Sequence, residues 1–399
     1  MFRAFFLDKI HPAGSGRVSG GYEMSDETYM QLSLSLAEKG AGHVSPNPLV
    51  GAVIVKDGKI IGEGWHAEYG GLHAERNALA DCRNRGEDPA GASIYVTLEP
   101  CCHHGKTPPC TDAIIEAGIS RVVTGSDDPN PLVAGKGLQI LRDHGIEVVS
   151  GVLKAQCDRL NRVFFHYITC HTPYVVMKYA MTLDGKIAAY TGASQWITGE
   201  AARKNVHKDR NRYTAIMVGI GTVLTDDPLL TCRIPGGRNP VRIICDTHLQ
   251  ISLSARLVQT AAEIPTIIAA GITDDPEMAV KASALRSAGC QVIFVPMGED
   301  GHLSLPALMK ELGQSGIDSI LLEGGNRLNW AALSSGQVHL VQTYIAPKLL
   351  GGETARSPIG GQGFPDPQNC VHLAPPSIQT FDGDILLESE VILPCSQES

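Results

Sequence analysis

From Ser25 onward, short apolar runs alternate with longer amphipathic stretches. Ser25-Asp26-Glu27 precedes Met30, Leu32, Leu34, Leu36 and Ala37, with Gly40 beyond them, which predicts a helix with an N-terminal cap. Residues 50–55 read as a strand, Asp57-Gly58 as a hairpin turn and residues 59–64 as the returning strand. Helices follow over 73–82, 111–117 and 137–144, and strands over 93–98, 121–124 and 147–151. A hairpin followed by β/α alternation predicts a three-layer α/β domain around one sheet.

Residues 154–170 read as one connecting helix, which His171-Thr172-Pro173 breaks before a new strand at 175–178. Alternation then resumes, with strands expected over 215–219, 241–245, 266–270, 292–295, 319–323 and 340–345. Single cores stop growing near roughly 250 residues, so a chain of 399 predicts two domains. We place them at 24–170 and 171–399, behind a flexible arm at 1–23 that contains the Gly/Ser stretch from Gly14 to Gly21.

The formal net charge of −9 opposes a large nucleic-acid footprint. No apolar run is long enough to span a bilayer. Met1 to Ile10 is apolar but is broken by Asp8 and Lys9, with no small-residue cleavage site after it, and is not read as a signal peptide. Eleven scattered cysteines fit reduced thiols in the cytoplasm, a few of them held by metal, better than a disulfide framework.

Three segments carry chemistry in the first half. His73-Ala74-Glu75 stands at a helix start, Glu99-Pro100-Cys101 follows 28 residues later at a strand end, and Cys110 comes nine residues after that. In zinc deaminases a His and two Cys hold the metal, and the Glu two residues after the His shuttles a proton. Zinc lowers the pKa of its water to about 7, and a carboxylate takes up the proton. The departure is the second cysteine. C-x-x-C would place it at 104, where His104 stands instead, and Cys102 is too close to Cys101 to share its metal. The ligand set is therefore His73/Cys101/Cys110 with an enlarged loop, or His73/Cys101/His104. Each piece alone is commonly structural; the conjunction is not. A structural zinc site would want four protein ligands and would have no use for Glu75.

These stretches, with Pro46-Asn47-Pro48-Leu49-Val50-Gly51, the run from Thr97 to Cys110, Asp128-Pro129-Asn130-Pro131 and Gly135-Lys136-Gly137, resemble the bifunctional deaminase–reductases of riboflavin biosynthesis. The long loop between the cysteines is that family's variant, and the resemblance selects Cys110. It implies a cytidine-deaminase-like N-terminal domain with one zinc ion, and Asn47, His103, Lys106, Asp128 and Asn130 lining the substrate pocket.

In the second half, Gly219-Ile220-Gly221 follows a strand, but Leu224 occupies the third-glycine position of a dinucleotide fingerprint, so the signal is weak. Glu323-Gly324-Gly325-Asn326-Arg327 is a better clue, because bare backbone at a helix N-terminus can cradle a pyrophosphate. These segments and Lys178-Tyr179-Ala180-Met181-Thr182-Leu183-Asp184-Gly185-Lys186 are similar to the reductase half of the same family. That half has a dihydrofolate-reductase-like fold. The resemblance spans residues 24–393. It implies hydride transfer from NADPH to the sugar C1′ of a ribosylaminopyrimidine phosphate.

By the same resemblance Ala180, Trp196, Thr222, Asp226, Thr247, Gly325, Asn326, Arg327, Leu328, Asn329, Trp330 and Ala331 contact the cofactor. Ser194, Arg210, Leu230, Arg233 and Glu323 contact the substrate. The guanidinium forks of Arg210 and Arg233 suit a phosphate monoester, and Lys178 is the expected proton donor to the opening sugar oxygen. The expected partners are a small-molecule pyrimidine ribosyl phosphate and further copies of the chain, with no nucleic acid and no membrane. Two rivals are a nucleobase deaminase with a non-catalytic C-terminal domain and a structural zinc protein. The acidic charge and the second-half motifs oppose the first, and Glu75 opposes the second.

Overall fold

The computed structural model describes residues 24–103, 108–130 and 133–392. The arm expected at 1–23, Lys106 and the alternative ligand His104 lie outside the described residues.

Helix α1 (Asp26–Ala37) is followed by the hairpin β1 (Gly51–Lys56) and β2 (Lys59–Trp65). Asp57 and Gly58 both take positive φ in its two-residue turn, the conformation that Asp-Gly favours. Next come α2 (Ala74–Asn84), β3 (Ser93–Leu98), α3 (Cys110–Glu116), β4 (Arg121–Ser126), α4 (Lys136–Asp143) and β5 (Glu147–Val149). The sheet order is β2-β1-β3-β4-β5. Strand β1 runs antiparallel to β2 and β3, whereas β3, β4 and β5 are parallel.

Period-two alternation sorts the side chains into two cores. Ala52, Ile54, Ile94 and Val96 face Ala78, Leu79, Ile114 and Leu141 of α2, α3 and α4. Val53, Val55, Tyr95 and Val123 face Met30 and Leu34 of α1 and Cys157 beyond the sheet. The three expected layers are present.

The connection is not one helix, as the pattern predicts, but two: α5 (Lys154–Leu160) and α6 (Arg162–Cys170). The break falls at Asn161, whose buried side chain leaves the helical register to bond the backbone of Leu49 on both sides.

The second half contains β6 (Tyr174–Thr182), α7 (Glu200–Arg212), β7 (Ala215–Gly219), α8 (Ile220–Asp226), β8 (Val241–Cys245), α9 (Arg256–Gln259), β9 (Thr266–Gly271) and α10 (Pro276–Ser287). Then follow β10 (Gln291–Val295), α11 (Leu305–Gln314), β11 (Ser319–Leu322), α12 (Asn326–Ser334), β12 (Leu340–Ala346), β13 (His372–Leu373), β14 (Ser377–Phe381) and β15 (Asp384–Ile392). The order is β10-β9-β8-β7-β11-β6-β12-β15-β13, with β14 also paired to β15. From β10 to β12 all neighbours are parallel, and β15 joins β12 antiparallel. The sequence pattern omits β13–β15.

The winding order reverses between the parallel strands β7 and β11: from β7 the chain winds towards β10, and from β11 it crosses β6 to β12. Such a switch point opens a crevice at the carboxyl ends of the strands, where ligands bind in open α/β sheets.

Candidate active sites

In the N-terminal domain the helix cap, the strand end and the next helix start converge. His73 caps α2 in extended conformation, Cys101 lies just beyond β3, and Cys110 begins α3. The Cys101 carbonyl accepts the N–H groups of Cys110 and Thr111, so the α3 start is tied to the first cysteine. His73 Nδ1 lies 3.5 Å from Cys101 Sγ and 3.4 Å from Cys110 Sγ, and all three ligand atoms fall within 4.8 Å of one another. Zinc bonds of about 2.0–2.3 Å in a tetrahedron give edges of roughly 3.3–3.8 Å, which both His73–cysteine distances match. The hydrogen bond from Cys110 outweighs burial and holds the Cys101 thiol well below its usual range, while the Cys110 thiol is raised in turn. Glu75, in the first turn of α2, is buried. Burial and the neighbouring Cys101 push its carboxyl up to about 7.

The expected pocket residues approach this centre. Asn47 Nδ2 donates to His66 Nε2 at 3.2 Å, and His66 Nδ1 donates to the Leu72 carbonyl at 3.1 Å. That chain fixes the His66 tautomer and leaves the Asn47 carbonyl oxygen for a ligand. His103 Nδ1 is buried with no partner among the described residues. Asp128 accepts from the Asn130 N–H at 2.9 Å, and burial pushes its carboxyl up to about 6.

Two residues with a part in this site were missed. One is His66. The other is Glu99, whose buried carboxylate accepts N–H groups from Gly135, Gly137 and Leu138 at 2.9, 3.0 and 3.3 Å. It closes the first turn of α4 and ties the Asp128–Gly137 loop to the segment that carries Cys101. Gly137 has to be glycine, since a Cβ there would overlap the Pro100 carbonyl. A carboxylate inside the Glu99-Pro100-Cys101 motif was the available signal.

At the β7/β11 switch point, α8 and α12 start from Gly219 and Gly325, both extended and without a side-chain cap. A helix leaves its first N–H groups unpaired within the helix and favours anions there. A Cβ added at Gly325 would meet nothing closer than Thr222 Oγ1 at 3.6 Å, and one at Gly221 would meet nothing within 4 Å. The glycines therefore line open space that the fold itself does not require, and the pair of loops fits the phosphates of a dinucleotide. Thr247 follows β8, and its carbonyl accepts from the Gly271 N–H at the end of β9. Asp226 ends α8, its carboxyl raised by burial. Trp196 is 60% exposed beneath the Arg203 guanidinium, and Ser194 lies in the same loop.

The other expected contacts lie along α12 and beside it. Gly325, Asn326 and Arg327 stand at the loop edge where α12 begins. Leu328 and Ala331 pack on the core, and Trp330 stacks edge-on with Phe364. Asn329 is fully buried and donates to the Pro358 carbonyl. The Leu230 side chain is likewise in the core. Within α12 the helical period turns Asn329 fully inward, while Leu328, Trp330 and Ala331 stay partly buried, Leu328 lying 3.7 Å from where a Cβ of Gly219 would stand.

Arg210 does not present a free fork. Its Nε and Nη2 donate to Glu323 at 2.8 and 3.0 Å, and Nη1 donates to the Thr231 carbonyl at 3.0 Å. Burial opposes ionisation of Glu323, but Arg210 and Lys178 outweigh it and hold the carboxyl at about 2. Lys178 Nζ lies 3.8 Å from Glu323 and 5.5 Å from the Tyr344 ring, and burial pushes its pKa down. Ala180 shares the Lys178 face of β6 and packs with Tyr344. Arg233 is exposed, its Nε donating to His207 Nε2 at 3.2 Å. Burial, Arg210 and Arg233 keep His207 neutral down to about 4.

Fold and sites define a two-domain enzyme, a zinc deaminase of the cytidine-deaminase type joined to a reductase. Residues 23–126 match the cytidine and deoxycytidylate deaminase zinc-binding region, and residues 173–387 match the RibD C-terminal domain. Riboflavin biosynthesis protein RibD of Actinobacillus pleuropneumoniae is 52% identical over 371 residues, covering 93% of this chain and 96% of that protein. The Aquifex aeolicus RibD is 42% identical over 363 residues, covering 91% and 97%. A Thermotoga maritima diaminohydroxyphosphoribosylaminopyrimidine deaminase/5-amino-6-(5-phosphoribosylamino)uracil reductase superposes with a TM-score of 0.78 at 39% identity, over 92% of this chain and 99% of that one. The chain belongs to the RibD family: it is a bifunctional deaminase and reductase of riboflavin biosynthesis.

Proposed function

We propose that residues 24–170 deaminate 2,5-diamino-6-ribosylamino-4(3H)-pyrimidinone 5′-phosphate at C2, and that residues 171–399 then reduce its ribosyl group to ribityl with NADPH. The observation that carries this reading is the convergence of His73, Cys101 and Cys110 beside the buried carboxyl of Glu75. The Thermotoga maritima protein's two named activities support the substrates, and NADPH is taken from the family.

In the first head, His73, Cys101 and Cys110 would hold zinc, which supplies Lewis acidity to a water at neutral pH. Glu75 takes the proton of the attacking water on its carboxylate and gives it to the leaving amino nitrogen, so water and amine become carbonyl and ammonia. Asn47, oriented by His66, accepts a ring N–H. His103 and Asp128 hold the opposite edge of the pyrimidine, with Asn130 in the Asp128 turn. By the family resemblance, Lys106 would meet the phosphate.

In the second head, the glycine-edged starts of α8 and α12 would hold the dinucleotide, with Ala180, Trp196, Thr222, Asp226, Thr247, Asn326 and Arg327 around it. NADPH supplies a hydride. Lys178, made more acidic by burial, delivers a proton to the ring oxygen released as C1′ is reduced. Arg210 acts through Glu323, fixing it beside Lys178 and anchoring the 230–233 loop, while Ser194 and the exposed Arg233 meet the sugar phosphate.

The buried thiols of Cys82, Cys157 and Cys290 are unbridged, which supports a reducing, cytoplasmic setting, and no described helix is long and apolar enough to cross a membrane. Exposed Leu373, Ile378, Ile385 and Ile392 along β13–β15 support a second copy of the chain covering that edge. Purified protein should release one ammonia per diamino substrate and then consume one NADPH; NADPH consumption without prior ammonia release would overturn the order.

A further inference from the structure

The loop between α1 and β1 carries Asn47 to the deaminase centre, yet groups outside the deaminase sheet pin it at both ends. At the far end, Asn161 clamps Leu49, accepting its N–H at 2.8 Å and donating to its carbonyl at 3.0 Å. At the near end the partners come from the reductase half. Arg238 Nε donates to the Gly42 carbonyl at 2.9 Å, and Asn211 Nδ2 reaches the Ala41 carbonyl at 3.5 Å. Gly42 has φ of +85° and lies so close to Asn211 that a Cβ would overlap the Asn211 carbonyl. Arg238 is itself held, its N–H donating to Asn211 Oδ1 at 2.7 Å and its Nη2 to the Tyr213 carbonyl at 3.1 Å. Between the pins the loop is held by the buried Val44 and by a few backbone bonds. The Asn47 N–H bonds the Val44 carbonyl at 2.8 Å, and the His43 carbonyl accepts from Tyr69 at 3.0 Å.

We infer that Arg238, a residue of the reductase half, is a positioning residue for deamination: it holds the Gly42 end of the loop that presents Asn47 to the pyrimidine. The inference rests on the reading of Asn47 as a substrate contact. A charged donor on a backbone carbonyl is among the stronger hydrogen bonds, and the loop reaches the centre through Asn47 and its His66 partner, 5.4 Å ring to ring from His73. Releasing Gly42 should therefore blur where Asn47 points while leaving the three metal-binding side chains untouched. It follows that a fragment ending near residue 170, although it contains the whole first sheet, lacks one pin of its substrate loop.

The test uses the full chain. Arg238→Ala, Arg238→Lys, Asn47→Ala and the Arg238→Ala/Asn47→Ala double variant are assayed for ammonia release from the diamino substrate and for reduction of the deaminated substrate. Arg238→Ala should raise the deamination KM about tenfold, the lower end of the loss of a charge-assisted hydrogen bond, with kcat and both reduction constants unchanged. Arg238→Lys, which keeps a charged donor, should recover most of the effect, and it serves as the reading if Arg238→Ala does not fold. In the Asn47→Ala background Arg238→Ala should add nothing. An unchanged deamination KM in Arg238→Ala beside a raised one in Asn47→Ala overturns the inference alone, as does an equal loss in both reactions. An unaffected Asn47→Ala overturns both the inference and the pocket reading beneath it.

Discussion

Glu323 receives two hydrogen bonds from Arg210, at 2.8 and 3.0 Å, across 113 positions of sequence. The pair joins the end of β11 to the end of α7 and leaves the carboxylate 3.8 Å from Lys178 Nζ. One anion thus faces two buried cations, and removing its charge breaks both ion pairs.

Glu323→Gln should therefore lower stability by about 3–5 kcal/mol, the usual cost of breaking a buried pair, and should slow reduction by at least about tenfold. Ammonia release should continue. Urea unfolding and NADPH oxidation on the deaminated substrate report the two effects separately.

Cys110→Ser should lose zinc, because a hydroxyl is a far poorer ligand than a thiolate and the other two donors cannot hold the ion alone. Metal analysis of the purified variant decides this. Stoichiometric zinc in Cys110→Ser, together with loss in His104→Ala, would reverse the assignment.

Gly325→Val and Arg233→Ala should separate cofactor from substrate. A branched side chain at Gly325 enters space the protein leaves open, so NADPH affinity should drop at least about tenfold while the apparent KM for the sugar phosphate holds. Arg233→Ala should keep NADPH affinity and raise that KM by about 10- to 150-fold, a lost charge-assisted bond of roughly 1.5–3 kcal/mol. NADPH fluorescence titration and substrate turnover on both variants distinguish the roles; the opposite pattern exchanges the two sites.

His339 is kept neutral down to about 3 by burial and by His166, whose ring lies 4.1 Å away, and its Nδ1 accepts from the Val175 N–H. The unfolded chain binds its proton near 6.5. Below that value the unfolded state holds more protons, so stability is full above pH 6.5 and is lost as the pH falls towards 3. From pH 7 to pH 5 this one residue should account for about 2 kcal/mol of lost stability. His339→Gln should shed that part of the slope; an unchanged slope in denaturant unfolding at the two pH values would show that His339 titrates normally.

Sequence pattern was most informative where one force dominates. Strands β1, β3 and β6–β12 announced themselves because continuous or alternating apolar runs face covered layers. Strand β15, Asp-Ile-Leu-Leu-Glu-Ser-Glu-Val-Ile, did not, since Glu388 belongs to an internal network with Arg162 and Gln342 and breaks the apolar pattern. The helix break at Asn161 has no glycine or proline to mark it; a tertiary bond to Leu49 makes it. In the sites, spacing marked His73, Glu75 and Cys101 because their chemistry demands local motifs. The closure of Arg210 on Glu323 and the inward turn of Asn329 depend on distant partners, which spacing along the chain does not encode.

The most direct test of the account is Glu75→Gln in the full chain, assayed for zinc content, ammonia release and NADPH oxidation together. The variant should bind zinc stoichiometrically, because Glu75 stands beside the ligand set and outside it. Ammonia release from the diamino substrate should fall by at least about 100-fold, the lower end of what a general acid–base group contributes. Reduction of supplied deaminated substrate should proceed at the normal rate. Normal ammonia release by zinc-loaded Glu75→Gln would contradict the proposed proton path, and with it the chemistry assigned to the first head.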